Sequence, residues 1–302
     1  MEREQRNWWG CPDLNRGPES PSLRDFRKRA SNLDAFEGFC KIDLQLTEST
    51  AKLHVRLIKA FRREIRKDSV EVTKQDLRNY LLKIKESMAA STYKNILAAL
   101  KRFYRDYLGM KDLVETFKFP ELSFKPIIVP SKTELQVFYK ALETHRNKAL
   151  FLMYATSGLR CSEVLSLDRY RDVDSKNRML KPRKDPNESK HTWLSFYNAE
   201  AERELKKYLA LRNDSNPKLF PISKRQLLRT FKKAWQISEV KVTPQILRDW
   251  FCCEMGNLGV QDRYVDAFCG RMPKSILARH YTDYSPRKLK QIYDRAKLTV
   301  LR

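Results

Sequence analysis

The sequence predicts a mainly α-helical protein of two domains, an all-α domain followed by an α+β domain whose sheet is a small β hairpin. Three observations carry that expectation. Apolar residues recur at helical spacing behind N-cap signatures along most of the chain. A proline-rich stretch from Phe119 to Pro130, with three prolines in twelve residues, interrupts the pattern and reads as a linker. Between about 178 and 196 the helical period gives way to two short apolar runs around a polar turn at Asp185-Pro186-Asn187. At 302 residues there is chain enough for about two cores.

Residues 1–42 differ from the rest. Asn7-Trp8-Trp9-Gly10-Cys11-Pro12, then Asp13 to Pro18, then a Ser/Pro stretch and a basic run, read as an irregular arm. The first helical domain occupies 43–120. Thr47-Glu48-Ser49-Thr50 opens a strongly basic helix with Leu53, Val55, Leu57, Ile58 and Phe61 as its apolar residues. Thr73 and Asp76 open the next, with Leu77, Tyr80, Leu81 and Ile84. Ser91-Thr92 opens a third, with Ile96, Leu97, Leu100, Phe103, Tyr104 and Leu108 facing inward. Its expected exposed positions are Lys94, Lys101, Arg102 and Arg105. After the linker at 121–130, the second domain runs from 131 to 302 and starts with a Ser131/Glu134 capping signature. An apolar helix follows and stops at Gly158. Short strands are expected near 178–182 and 191–196, then helices at about 198–211, 223–236, 243–256, 261–269, 274–280 and 286–297. The last has Leu289, Ile292, Tyr293 and Ala296 on one stripe, which either docks on a neighbouring protomer or packs within its own domain.

Charge narrows the function. There are 61 Lys and Arg against 37 Asp and Glu, a net +24, and a pI near 9.8. Such a charge implies a polyanionic partner, nucleic acid first. A mean hydropathy of −0.64 and the absence of an 18-residue apolar run argue against a membrane span. No apolar segment near Met1 suggests secretion, so an intracellular, cytoplasmic and nucleoid-associated location is expected. Six cysteines without a CxxC pair, with four histidines, suggest neither a zinc framework nor a disulfide scaffold. Eight glycines include no phosphate-binding loop.

Four signals in the second domain point to chemistry. Thr156-Ser157-Gly158-Leu159-Arg160-Cys161-Ser162-Glu163-Val164-Leu165 sets an arginine between a helix-ending glycine and a new helix. Lys184 and Lys190 flank the turn of the expected hairpin. Thr243-Pro244-Gln245-Ile246-Leu247-Arg248 opens a helix, with Gln245 and Arg248 three apart on one face. Phe268-Cys269-Gly270-Arg271 is followed ten residues later by His280-Tyr281.

In these four boxes and their order the sequence resembles the tyrosine recombinase (integrase) family. The resemblance covers about residues 46–297, since the basic helical domain also resembles that family's core-binding domain. It implies two domains forming a C-shaped clamp around duplex DNA, self-association to a tetramer on DNA, and no cofactor, neither ATP nor metal. It implies Tyr281 as nucleophile, with Tyr284 as the alternative, and Arg160, Arg248 and Arg271 as phosphate-binding groups. Lys190 fits the family's hairpin lysine, which protonates the leaving 5′-oxygen; Lys184 is second. Lys94, Lys101, Arg102, Arg105 and Lys184 are the expected DNA contacts.

The physical need is plain. A tyrosine hydroxyl, with an ordinary pKa of about 10, attacks poorly unless the phosphate is held and its charge neutralised. Guanidiniums can do both through paired hydrogen bonds. The chain departs from the family pattern at Gln245 and Arg271, where histidines, or at the second site a tryptophan, are usual. Gln donates a hydrogen bond but cannot titrate. Archaeal virus and plasmid integrases are similar in this respect, so a site-specific recombinase of an archaeal mobile element is the expected function. The alternatives are a topoisomerase-like nicking-closing enzyme and a non-catalytic DNA-binding relative.

The odd arm can be read as nucleic acid. Pro12-Asp13-Leu14-Asn15-Arg16 can be encoded by CCG GAT TTG AAC CGG, whose reverse complement has the stem and seven-nucleotide loop of a tRNA T-arm. The expectation is that residues about 8–20 lie over an attachment site matching a tRNA gene.

Overall fold

A computed structural model describes residues 23–183, 192–271 and 275–302. It is mainly helical with one small sheet, and divides into two compact units between Phe124 and Lys125.

The first unit contains α1 (Leu23–Ser31), α2 (Leu33–Ile42), α3 (Glu48–Ile65), α4 (Lys74–Ser87), α5 (Ala90–Lys101) and the short α6 (Lys111–Val114). From Leu23 onward the segment read as an irregular arm is therefore helical. The reason is core demand: Leu33, Phe36 and Cys40, at i, i+3 and i+7, are buried, and Asn32 caps α2 by accepting from Ala35 N at 2.9 Å. Phe36 meets Phe103 edge-on at 5.1 Å, and Phe61 meets Tyr80 at 4.9 Å. The expected Thr73–Asp76 capping box forms in full.

The helix beginning at Ala90 departs from the expected pattern at its end. Residues Arg102–Tyr107 form a wide π turn, with Leu108 N donating to Phe103 O five residues back at 3.0 Å. Around that turn, three of the cations expected to be exposed are wholly or partly covered. Lys101 is buried, its ammonium donating to Glu115 O at 3.3 Å and lying 5.5 Å over the Phe119 ring. Arg102 donates to His54, whose pKa burial and the guanidinium push down to about 4. Arg105 is paired with Asp106 at 2.6 Å. Lys94 does face solvent. A second basic row is more open: Lys52, Arg56, Lys59 and Arg63 form one exposed stripe along α3, with Lys52 paired to Glu48.

The second unit runs through α7 (Lys132–Lys140), α8 (His145–Ser157), α9 (Cys161–Ser166), β1 (Val173–Asp174), β2 (Met179–Leu180), β3 (Ser195–Phe196), α10 (Ala199–Ala210), α11 (Lys224–Ser238), α12 (Pro244–Asn257), α13 (Asp262–Phe268), α14 (Ile276–His280) and α15 (Pro286–Ala296). Its centre is α8, in which every residue from Ala149 to Ser157 is buried. Helices α10 and α12 both pack against it. The antiparallel sheet has order β1-β2-β3, pairing Val173 with Leu180 and Met179 with Phe196. Strand β1, absent from the sequence reading, is only two residues long.

Leu289, Tyr293 and Ala296 of α15 are buried within their own unit, and Tyr293 donates to Thr156 O at 2.7 Å. Of the two expectations for this stripe, packing within the domain is the one the structure shows. The tail continues the contact: buried Glu200 accepts from Val300 N and Leu301 N at 2.8 and 3.1 Å.

Candidate active site

The site starts from a helix end. Thr156 and Ser157 donate their hydroxyls back to Leu152 O and Met153 O, closing the last turn of α8. Gly158 then takes a left-handed conformation, φ 65°, that ends the helix. A side chain here would also collide: a Cβ would lie 2.5 Å from the Phe251 ring and 3.0 Å from Cys269 Sγ. Two residues on, Arg160 is the N-cap of α9 and is joined to Glu163. The Arg160 backbone donates to Glu163 Oε2 at 2.7 Å and its guanidinium to Oε1 at 2.9 Å.

Arg248 enters from α12. Thr243 caps that helix by accepting from Ile246 N, and Pro244 takes the first turn, where its missing N–H costs nothing. One turn later the Arg248 side chain is 4% exposed. Its Nη1 donates to Gly158 O at 2.6 Å and its Nη2 to Cys269 O at 2.7 Å. Burial, and the nearby Arg160 charge, lower the Arg248 pKa from the ordinary value. Arg160 Nη2 in turn donates to Gly270 O at 3.1 Å. Two guanidiniums from different helices thus hang on the consecutive carbonyls of Cys269 and Gly270. Each uses two of the five N–H donors that a guanidinium carries, and has donors left for an anion.

Arg271 follows directly, its backbone tied to Asp266 O at 2.8 Å and its side chain 3.6 Å from the Asp266 carboxylate. Burial works against its charge, but Cys252, Cys269 and Asp266 outweigh it and raise the Arg271 pKa. Beneath these cations lie two thiols, Cys252 and Cys269, 3.4 Å apart. The thiol contact with Cys269 and the fields of Arg271 and Arg248 lower the Cys252 pKa, while that of Cys269 is raised.

The remaining expected residues are placed differently. Gln245 is exposed and donates to Asp249 at 2.8 Å. Tyr281 caps α14 and is 77% exposed, with no hydrogen-bond partner for its hydroxyl among the described residues. Tyr284 is half-buried, and its hydroxyl donates to Ala278 O at 2.5 Å. Lys184 and Lys190 lie outside the described residues. So do residues 8–20, over which an attachment site is expected.

Glu163 is the residue that sequence reasoning missed. It is 5% exposed, and beyond Arg160 it accepts from Thr192 N at 2.9 Å, joining the arginine to the chain entering β3. Its capping spacing is visible in the sequence; the contact 29 residues away is not. Among the described residues no group of three or more His, Cys, Asp or Glu is placed to hold a metal ion.

Comparison with known proteins decides the family. The phage integrase family pattern covers residues 131–288, more than half the chain, and the phage integrase N-terminal SAM-like domain covers 33–112. The chain belongs to the phage integrase family. It is a tyrosine recombinase, an enzyme of site-specific DNA recombination. It is similar to tyrosine recombinase XerA of Pyrococcus horikoshii, 24% identical over 90% of this chain and 96% of that protein. It is also similar to tyrosine recombinase XerC of Lactobacillus leichmannii, 25% identical over 72% of this chain and 84% of that one. In fold, this tyrosine recombinase resembles a lambda integrase dimer bound to a COC′ core site, with TM-score 0.64 and 16% identity over 88% and 96% of the two chains.

Proposed function

We propose that this recombinase cuts and rejoins duplex DNA through a 3′-phosphotyrosine at Tyr281. The observation that carries the reading is the pair Arg160 and Arg248, anchored on neighbouring carbonyls with donors to spare. A scissile phosphate seated there receives two cations, with Arg271 adjacent, and its growing negative charge in the transition state is met by groups already in place. Tyr281 Oη attacks phosphorus and gives up its proton to solvent, the bond from phosphorus to the 5′-oxygen breaks, and that oxygen takes a proton. Lys190 is the proton donor in this reading, with Lys184 second, and Gln245 contributes a hydrogen bond only. The freed 5′-hydroxyl then attacks the phosphotyrosine of a partner duplex and releases Tyr281. The covalent intermediate conserves the bond energy, so no external energy source enters.

DNA is bound by basic rows of both domains. In the first unit the contacts are Lys94 and the α3 stripe of Arg56, Lys59 and Arg63, which binds phosphates and makes affinity steeply salt-dependent. Four protomers assemble on the paired sites. The element is an archaeal virus or plasmid that integrates at a tRNA gene, with the attachment sequence beneath codons 8–20. The back-translated T-arm supports that choice, and sequencing the gene tests it: codons there without a tRNA-like stretch end the attachment-site reading.

The chemistry is tested with a nicked suicide duplex. The expected result is a covalent adduct that is absent in Tyr281→Phe, followed by recombinant product when a second duplex is supplied. No adduct at all means a DNA-binding relative. Adduct without recombinant product means a nicking-closing enzyme.

A further inference from the structure

We infer that Tyr284 is a positioning residue for the nucleophile, holding through its hydroxyl the turn that carries Tyr281. The inference rests on reading Tyr281 as the nucleophile, and starts from how little else among the described residues supports that turn. Helix α14 is five residues long and none of its side chains is buried; Ile276 and Leu277 are 73% and 70% exposed. A helix so short does not hold its shape in water unaided. Ser275 caps its start by accepting from Ala278 N at 3.1 Å, but a cap satisfies backbone and does not fix a helix to the body of the domain.

The fixing comes from the residues just after Tyr281. Tyr284 Oη donates to Ala278 O at 2.5 Å, satisfying a carbonyl in the last turn that would otherwise have only water. The Tyr284 ring packs against the main core and meets Tyr264 of α13 edge-on, with centroids 6.1 Å apart. Arg263, stacked at 5.3 Å on the Tyr264 ring, donates to Thr282 Oγ1 at 3.5 Å, and Thr282 donates to Leu277 O at 3.3 Å. Tyr284 is thus the one side chain among these that reaches from the packed core to the α14 backbone. The carbonyl it holds is three residues before Tyr281, on the same helical face as Tyr281. The bond narrows the arc swept by the Tyr281 hydroxyl, which otherwise has no partner among the described residues. Restricting that arc raises the fraction of time the nucleophile is aligned with the phosphate.

The full chain and the nicked suicide duplex test this, with affinity measured by anisotropy on the same DNA. Tyr284→Phe keeps the ring packing and removes only the donor. Expected is an unchanged Kd, an adduct still formed, and a single-turnover cleavage rate at saturating DNA lowered about tenfold. Replacing Tyr284 with 4-aminophenylalanine restores a donor at the same place and should recover most of the rate, whereas 4-fluorophenylalanine should not. A Tyr284→Phe enzyme that cleaves at the parental rate, or a slow one not rescued by the amino side chain, overturns the inference. Tyr281→Phe run alongside keeps the two readings apart. An adduct that persists there defeats the nucleophile assignment itself. Its loss there, together with unimpaired Tyr284→Phe, defeats only the positioning role.

Discussion

The two halves of the proposed active site are built to opposite standards. Arg248 is buried in the second unit and Arg160 is half-buried beside it, and they are tied to Glu163 and to the carbonyls of Gly158, Cys269 and Gly270. Tyr281 sits on a five-residue helix with no buried side chain. The half proposed to bind phosphate is therefore preorganised, and the half proposed to carry the nucleophile is tethered. In a reaction whose main demand is neutralising charge on one phosphate, the cost of orienting cations is met during folding. The nucleophile can be brought up afterwards.

The sharpest contrast is between Arg248→Ala and Tyr281→Phe. Both remove chemistry, and only the first should also cost stability. Losing a preorganised cation should lower cleavage of the suicide duplex by about 10²–10³. The carbonyls of Gly158 and Cys269 lose their donor, while relief of a buried charge offsets part of that, for a net loss of about 1–2 kcal/mol in urea unfolding. Tyr281→Phe, at a side chain 77% exposed, should abolish the adduct and shift stability by less than about 0.5 kcal/mol. Equal stability costs in the two variants would show that the division into fixed and tethered halves is wrong.

Gly158→Ala tests the fixed half by geometry alone, since no charge changes. Left-handed backbone costs a non-glycine residue about 1–2 kcal/mol, and the Cβ at 2.5 Å from the Phe251 ring adds overpacking of about 1–3. A drop of about 2–5 kcal/mol is expected in the denaturant midpoint analysis. A variant as stable as the parent would mean that the Gly158–Phe251–Cys269 contact is loose, and with it the anchor of Arg248.

How far the site could be read from sequence follows the same division. Thr73–Asp76, Ser131–Glu134, the stop at Gly158 and the Thr243-Pro244 helix start are local signals, and the structure forms each of them. What escaped depends on tertiary contacts or on a break in period. The helices from Leu23 to Ile42 are stabilised by burial of Phe36 and Cys40, which a basic, glycine-containing stretch does not advertise. Lys101 is covered by a tertiary contact with Glu115 O, and Arg102 and Arg105 lie within the π turn at 102–107, where the 3.6-residue period is interrupted. Glu163 matters through Thr192, a partner that only the folded chain supplies. Arg160 and Arg248 were named from their boxes, but that they share consecutive carbonyls is a property of the α8, α12 and α13 packing.

The electrostatic reach of the fixed half can be measured on its thiols. Cys253 is the more exposed of two adjacent cysteines, but its pKa is raised by burial and by Cys252, whereas that of Cys252 is lowered by Cys269 and the arginines. If the field outweighs exposure, Cys252 should react with iodoacetamide at pH 7 about tenfold faster than Cys253. Mass spectrometry on Cys253→Ser and Cys252→Ser variants separates the two rates. Arg271→Gln should narrow the ratio by removing one of the cations responsible. Faster alkylation of Cys253 would mean that the positive field does not extend to the floor of the site.

The smallest effect belongs to the tethered half, and its smallness is the point. Ile276→Gln and Leu277→Gln place polar side chains at positions 73% and 70% exposed, with helix propensities no worse than before. If α14 is held by its backbone and by Tyr284, neither apolar side chain contributes to folding, and each variant should unfold within about 0.5 kcal/mol of the parent. Leu247→Ala supplies the scale, since a leucine with no exposed surface in α12 should cost about 2–5 kcal/mol. A loss above 1 kcal/mol in either α14 variant would reveal an apolar face packed onto the domain in solution. Tyr281 would then sit on a fixed element, and the contrast between the two halves of the site would not hold.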